Sequence, residues 1–313
     1  MKEARNILKR YQGNPVMKPE DFHGIARIFN PSPVKFKSQT VLLVSVRNFY
    51  SETNYGETRV AVSDDGINFK LGEKPFINLE SSEIPFSEFK NPIDNRCTMI
   101  DGVFYIVTPV GHSVFSEPFG ILGKTSDFKK YELIDIISLP QNRGTSLFPE
   151  KIKGKYYRLD RPGAGNNSKG TIWISSSPDM IHWGCYRPLL SPGYRYWNNN
   201  KIGPTPPIKT DKGWLVIIHG VHIPASGPKY YIGAIMLDLQ NPEKIIGKTN
   251  SYLLAPDEEY ERHGACDNVV FPCGAIADYE DDVLRLYYGG ADNCVCLAEG
   301  SLKEIVDACL NGY

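Results

Sequence analysis

Five stretches of this chain resemble one another, and that repetition constrains its fold more than any local propensity does. Each is a turn followed by an apolar and aromatic run. The first passes from Lys37-Ser38-Gln39-Thr40 into VLLVSVR, and the second from Asp101-Gly102 into VFYIVTPV. The third passes from Lys153-Gly154 into KYYRLDRP, the fourth from Lys212-Gly213 into WLVIIHGV, and the fifth from Glu280-Asp281-Asp282 into VLRLYYGGAD. A proline-containing segment precedes each run: FNPSPVKF, NPIDNRCTMI, SLFPEKI, GPTPPIKT and NVVFPCGAI. Successive copies lie about 50 to 70 residues apart, longer than a hairpin and close to the length of a four-stranded blade. The expected fold is all-β: a five-bladed β-propeller occupying residues 1–313 as one domain.

The first run shows why such strands belong between blades. Val41, Leu43, Ser45 and Arg47 share one face, and Leu42, Val44 and Val46 the other, so both faces are mostly apolar. A second marker follows three of the runs. Ser63-Asp64-Asp65-Gly66-Ile67-Asn68-Phe69 reads as a strand, a tight turn and an aromatic plug. Thr125-Ser126-Asp127-Phe128 and Ser177-Pro178-Asp179-Met180-Ile181-His182-Trp183 are looser versions. In such turns the aspartate caps its own backbone, so Asp65, Asp179 and Trp183 are expected to be structural. Two short helices flank the repeats: an arm at about 2–11, which makes a homo-oligomer plausible, and a helix at about 301–310. The second begins with a capping box, Ser301 with Glu304 three residues on.

Bulk properties exclude several functions. The net charge of −1 gives no global attraction to nucleic acid or to an anionic membrane. No run approaches the ~18 apolar residues of a spanning helix. The seven cysteines are odd in number and contain no C-x-x-C pair, so neither a zinc site nor a redox pair is expected. Reduced thiols in a cytoplasmic protein are the simpler reading. Any anion site must then be a local cluster of cations.

In a propeller the inner strands converge on a channel. The five copies offer Asn30, Asp94, Arg143 with Glu150, Lys201 and Asp267 on their first strands. The ends of the second strands offer Arg47, His112, Arg161, His219 and Asp292. Lone charges on such strands are costly in a core, and convergence on a ligand explains them better. Arg143, Arg161, Lys201 and His219 fall on neighbouring blades and would form an anion site, guanidinium forks being suited to phosphate oxygens. The alternative is that each pairs with a local carboxylate, Arg161 with Asp160 or Arg143 with Glu150. Tyr194, Tyr196 and Trp197 suit sugar stacking or ordinary packing equally. His182 and His263 read as surface residues, whereas His23 and His112 are candidates for contact with an acceptor sugar.

The order of motifs resembles that of the glycoside hydrolase family 130 mannoside phosphorylases. It runs FNP, then Asp94-x-Arg96 before the Asp101-Gly102 turn, LFPEKI, GKYYRL, Arg161-Pro162, KIGP, PPIKT, Gly213-Trp214, HGV, NVVFP, GAI and YYGGAD, from about Arg10 to Leu310. Where that family has Glu-Asp-Pro-Arg, this chain has Ile93-Asp94-Asn95-Arg96. The departure bears on substrate subtype rather than on the reaction. The resemblance implies a five-bladed propeller that cleaves β-mannosides by inverting phosphorolysis to α-mannose 1-phosphate. Asp94 would be the general acid, with the proton passing through the sugar 3-hydroxyl. Arg143, Arg161, Lys201 and His219 would bind phosphate, with Asn142 and Tyr230 or, preferentially, Tyr231 as weaker members. Arg47 and Asp292 would hold the terminal mannosyl unit, with Asn30 and Arg96 as further substrate contacts. No cofactor or metal is implied; inorganic phosphate is the co-substrate. Two other readings stay open at this stage, a hydrolase using Asp94 and Glu150, and a sugar-binding propeller without catalysis.

Overall fold

A computed structural model describes residues 4–49, 56–79, 89–112, 117–163 and 169–312. Five sheets are arranged as the blades of a propeller, and every pairing between their strands is antiparallel. Each of the five apolar runs forms the second strand of its blade: Gln39–Asn48, Val103–His112, Tyr156–Asp160, Trp214–His222 and Val283–Gly290. The proline-containing segments form or enter the innermost strands: Ile25–Phe36, Arg96–Ile100, Ser146–Leu147, Lys201–Pro204 and Val270–Pro272. Proline fits there because an inner strand has an unpaired side.

The two apolar faces of the first run separate as their pattern requires. Leu42 and Val44 pack towards the fifth blade with Tyr287 and Val295. Val41 and Leu43 pack towards the second with Phe104 and Ile106. The fourth blade repeats the arrangement, Trp214 and Val216 facing Leu159 and Ile174 of the third, and Leu215 and Ile217 facing Leu284 and Leu286 of the fifth. Full burial of one such side chain contributes about 1.5–3 kcal/mol, so the blade interfaces dominate the stability.

Asp65, Asp127 and Asp179 each cap the turn leaving a third strand. Asp65 Oδ1 accepts from the amides of Ile67 and Asn68, both at 2.8 Å. Asp179 accepts from Ile181 at 2.9 Å and His182 at 2.8 Å. Asp238 makes the same turn in the fourth blade, accepting from Gln240 and Asn241 at 2.9 Å, without the flanking serine and aromatic that mark the others. Trp183 lies under the Arg158 guanidinium, 4.4 Å from ring centre to Cζ.

The N-terminal arm departs from expectation. In place of a helix over 2–11 there is, within its described residues 4–11, one 3-10 turn, Ala4–Asn6, and a strand, Lys9–Arg10, which pairs with Cys294–Ser301 as the outermost strand of the fifth blade. That edge offers unpaired backbone groups. Arg10 adds a fork to the buried Glu261, with both bonds at 2.8 Å, and Tyr288 donates to the same carboxylate at 2.7 Å. These tertiary contacts outweigh the weak helical pattern. The C-terminal helix, Leu302–Asn311, forms as expected, with the Glu304 amide donating to Ser301 Oγ at 3.1 Å. No described helix is long and apolar enough to cross a membrane.

Candidate active site

Asn30, Asp94, Arg143, Arg161, Lys201, His219, Tyr230, Asp267 and Asp292 converge on one cavity of about 440 Å³. Chain turns of unusual conformation place the polar groups there. Asn30, Asp94, Asn268, Ala291 and Asp292 all adopt positive φ, between 46° and 60°. Asn and Asp tolerate that region better than most residues, and such strain concentrates at functional sites. Asn30 occupies a bulge in the first inner strand and lies against Gly289, where a Cβ would collide with its amide.

Asp94 sits at the floor, 4% exposed. Its amide donates to Ser45 Oγ at 3.0 Å, Asn30 Nδ2 donates to its Oδ1 at 2.8 Å, and Arg143 grips its Oδ2 through Nε at 3.1 Å and Nη2 at 2.8 Å. Burial opposes ionisation of Asp94, but Arg143, Arg96 and Asn30 together outweigh it and hold the carboxyl below its ordinary range. Asp292, in the same cavity, goes the other way: burial and then the Asp94 charge raise it. The two carboxyl groups are thus driven apart in acidity.

Beyond the Arg143–Asp94 pair, the neighbouring cations Arg161 and Lys201 have no carboxylate partner among the described residues. Asp160 is not the partner of Arg161. It is taken by Arg158 at 2.8 Å, Asn142 at 2.9 Å and Thr145 at 2.8 Å. Glu150 is not the partner of Arg143 either; it accepts from Lys209 at 2.6 and 2.9 Å and lies outside the cavity. Arg161 Nε and both ring nitrogens of His219 are buried without a hydrogen-bond partner. Burial, then Arg143 and Arg96, lower Arg161 to about 10. Burial, then Arg161 and Arg143, lower Lys201 to about 8. Burial, then Arg161, Lys201 and Arg96, keep His219 well below its usual value, so it is a neutral hydrogen-bonding ring rather than a fourth cation. The Lys201 ammonium lies 5.0 Å from the Tyr230 ring centre, and His219 stacks at 4.7 Å on Phe271. Gly203 is required beside them, because a Cβ there would collide with the His219 ring and crowd Arg161. Buried donors left open around a cavity fit a multivalent anion.

Several expected residues fall elsewhere. Arg96 is 1% exposed and lies beneath the site: it donates to the Asp94 carbonyl and covers the Phe271 ring at 5.6 Å, which is the geometry of a support rather than a substrate contact. Asn142 is held by Asp160, outside the cavity. Tyr231 points to the opposite face of its strand from Tyr230 and joins Tyr196 and Tyr252, with ring centres at 6.4 and 5.2 Å. Arg47 does not line the cavity, although its charge acts on Cys266 at the wall. His112 packs on Phe89 at 5.6 Å. Trp197 is fully buried. The sequence reading missed Phe271, Cys266, Asn268 and the Ser226-Gly227-Pro228 turn as lining residues; NVVFP held the signal for Phe271. A larger recess of about 700 Å³, lined by Lys209, Lys212, Tyr279 and the C-terminal helix, contains none of the converging polar groups. Among the described residues no three His, Cys, Asp or Glu side chains are placed to hold a metal ion.

The geometry can be set beside known proteins. The model of glycoside hydrolase family 130, described as β-1,4-mannooligosaccharide phosphorylase, matches residues 2–311. The chain belongs to glycoside hydrolase family 130. A β-1,4-mannooligosaccharide phosphorylase of Ruminococcus albus is 31% identical over 97% of this chain and 91% of its own. A β-1,2-mannobiose phosphorylase of Listeria innocua is 38% identical over 81% of this chain and 69% of its own. The structure of a Listeria innocua β-1,2-mannobiose phosphorylase, in complex with β-1,2-mannobiose, superposes with a TM-score of 0.85 at 28% identity, over 96% of this chain and 99% of that one. The family assignment also covers the arm and the C-terminal helix.

Lys201 gives the site a testable pH response. Log(kcat/KM) for phosphate reports ionisations of the free enzyme. A cation lowered to about 8 is charged below that pH and neutral above it. The phosphate parameter is expected to fall as pH rises through about 8, and Lys201→Arg is expected to remove that limb, because arginine stays charged. A profile that is flat to high alkaline pH in the wild type would overturn the role of Lys201.

Proposed function

We propose that this chain is a glycosyl-transferring phosphorylase that moves the mannosyl unit of a β-mannoside to inorganic phosphate, with inversion, to give α-mannose 1-phosphate. The observation that carries this reading is the group of unpartnered buried donors, Arg161 and His219, beside Lys201 and next to Asp94. Phosphate held there is the nucleophile, so no carboxylate is needed to activate water. Asp94 is the proton donor to the leaving oxygen, directly or through a sugar hydroxyl. Asn30 and Asp292, across the cavity floor, supply hydrogen bonds to the mannosyl unit. The clamp fixes the nucleophile and offsets its repulsion from the carboxylates. The hydrolase reading that paired Asp94 with Glu150 loses that partner, since Glu150 is tied to Lys209 outside the cavity.

The names of the relatives include both β-1,2 and β-1,4 linkages. We favour β-1,2-mannobiose or short β-1,2-mannooligosaccharides, on the identity with the Listeria innocua protein and the loss of the Glu-Asp-Pro-Arg pattern. With β-1,2-mannobiose, mannose 1-phosphate is expected to appear only when inorganic phosphate is supplied, as measured by ³¹P NMR or an enzymatic assay of the product. Equal release of mannose in phosphate-free buffer would replace this reading with hydrolysis. Reverse synthesis from mannose 1-phosphate with a panel of acceptors, followed by linkage analysis, reports the acceptor and the bond.

A further inference from the structure

We propose that Arg143 is shared between the acid and the nucleophile: it pairs with the Asp94 carboxylate before phosphate binds, turns to phosphate when phosphate binds, and so lets Asp94 take up the proton it later donates. The inference rests on the phosphorylase reading above. It starts from a conflict. A general acid must be protonated, yet Asp94 is gripped through two nitrogens by a guanidinium.

The surroundings of Asp94 allow only one of its partners to leave. Arg96 is 1% exposed, bound to the Asp94 carbonyl and covered by Phe271, so it is fixed. Asn30 is buried in the bulge of its strand. Arg143 differs: its side chain is 43% exposed, it faces the cavity, and its only described hydrogen bonds are to Asp94. It also lies close enough to Arg161 and Lys201 to depress both. A phosphate held by Arg161, Lys201 and His219 therefore arrives within reach of Arg143. The other titratable groups facing Asp94 are Asp292 from the fifth blade and the buried thiol of Cys273.

Phosphate binding changes two things at once. The dianion competes for the guanidinium, and a like charge is placed near the carboxylate. Loss of an arginine partner alone is worth about 1–3 pK units to a carboxyl, and a nearby anion acts in the same direction. The proton comes from solvent to Asp94 Oδ2, Arg143 stays protonated, and that proton later goes to the leaving oxygen. The acid is armed only when the nucleophile is present. Without phosphate Asp94 remains a carboxylate, and attack by water finds no proton donor.

The test counts protons. Inorganic phosphate is titrated calorimetrically into wild-type, Asp94→Asn and Asp292→Asn enzyme, in buffers of different ionisation enthalpy at one pH. Contributions from Lys201, His219 and phosphate itself are present in all three proteins. The wild type and Asp292→Asn are each expected to take up about one proton more per phosphate than Asp94→Asn, and wild-type affinity is expected to gain up to about tenfold for each unit by which pH is lowered. Equal uptake by wild type and Asp94→Asn, with phosphate binding intact in both, would overturn the sharing of Arg143. Uptake lost only in Asp292→Asn would transfer the proton to Asp292 and overturn it equally. Failure of phosphate to bind any of the three proteins would overturn the phosphate site itself, and the inference with it.

Discussion

Asp94→Asn is expected to lower turnover of a β-mannoside by about 10²–10⁴-fold, the usual contribution of a positioned acid, while the protein stays folded. Asparagine has the shape of aspartate and tolerates positive φ, so the turn at φ 58° survives. Its carbonyl oxygen still accepts from Asn30 or Arg143. The substitution removes the ability to give up a proton and the charge that pairs with Arg143. It also frees Arg143, so phosphate is expected to bind Asp94→Asn at least as tightly as the wild type. Steady-state kinetics, a thermal melt and a phosphate titration on one preparation check the three statements. Turnover within a few-fold of wild type would remove Asp94 from the mechanism.

The fold was legible because the blade is a long, repeated unit with two strong signals. The apolar second strands, and the turns of Asp65 and Asp179, are set by local chemistry that tertiary contacts reinforce. The turn of Asp238 escaped notice because its backbone bonds need only the aspartate, and Leu239-Gln240-Asn241 lacks the usual flanks. The arm escaped because its structure comes from an edge strand and a buried glutamate about 250 residues away, which no local pattern records.

The site was legible to the extent that it depends on chain position within a blade. Asn30, Asp94, Arg143, Lys201, Arg161, His219 and Asp292, on or beside the first and second strands of their blades, line one cavity. What a sequence does not carry is which neighbouring side chain wins a partner. Asp160 follows Arg158 by two residues and precedes Arg161 by one, and strand alternation gives it to Arg158. Tyr230 and Tyr231 differ by one residue and therefore by one face of the sheet. Charge state was also hidden: His219 counts as a cation by residue type, but burial and then the three cations Arg161, Lys201 and Arg96 keep it neutral. The departure at Asn95 has a structural basis. Its amide donates to Thr58 Oγ1 and accepts from Thr108 Oγ1, both at 2.7 Å, so the residue after the acid ties the first blade to the second.

Arg161→Met is expected to move stability and function in opposite directions. Arg161 is 7% exposed, has no hydrogen-bond or carboxylate partner among the described residues, and faces two further guanidinium groups. An unsatisfied buried polar group costs about 1–3 kcal/mol. Methionine keeps much of the packing volume and adapts to irregular space between Gly144 and Gly203. The phosphate-free variant is therefore expected to melt a few degrees above wild type, given roughly 2–4 °C per kcal/mol for a chain somewhat smaller than this one. Phosphate reverses the order. Wild type gains about 2.7 kcal/mol at a phosphate concentration of one hundred times Kd, whereas the variant is expected to gain almost nothing. Truncating one side of a buried charged contact costs about 2–5 kcal/mol, so KM for phosphate is expected to rise at least about 30-fold, with little change in KM for the mannoside. Melting curves of both proteins with and without phosphate read the crossing directly. If the variant is instead destabilised without phosphate and still protected by it, Arg161 is a structural residue, and the anion site is built from Arg143 and Lys201 without it.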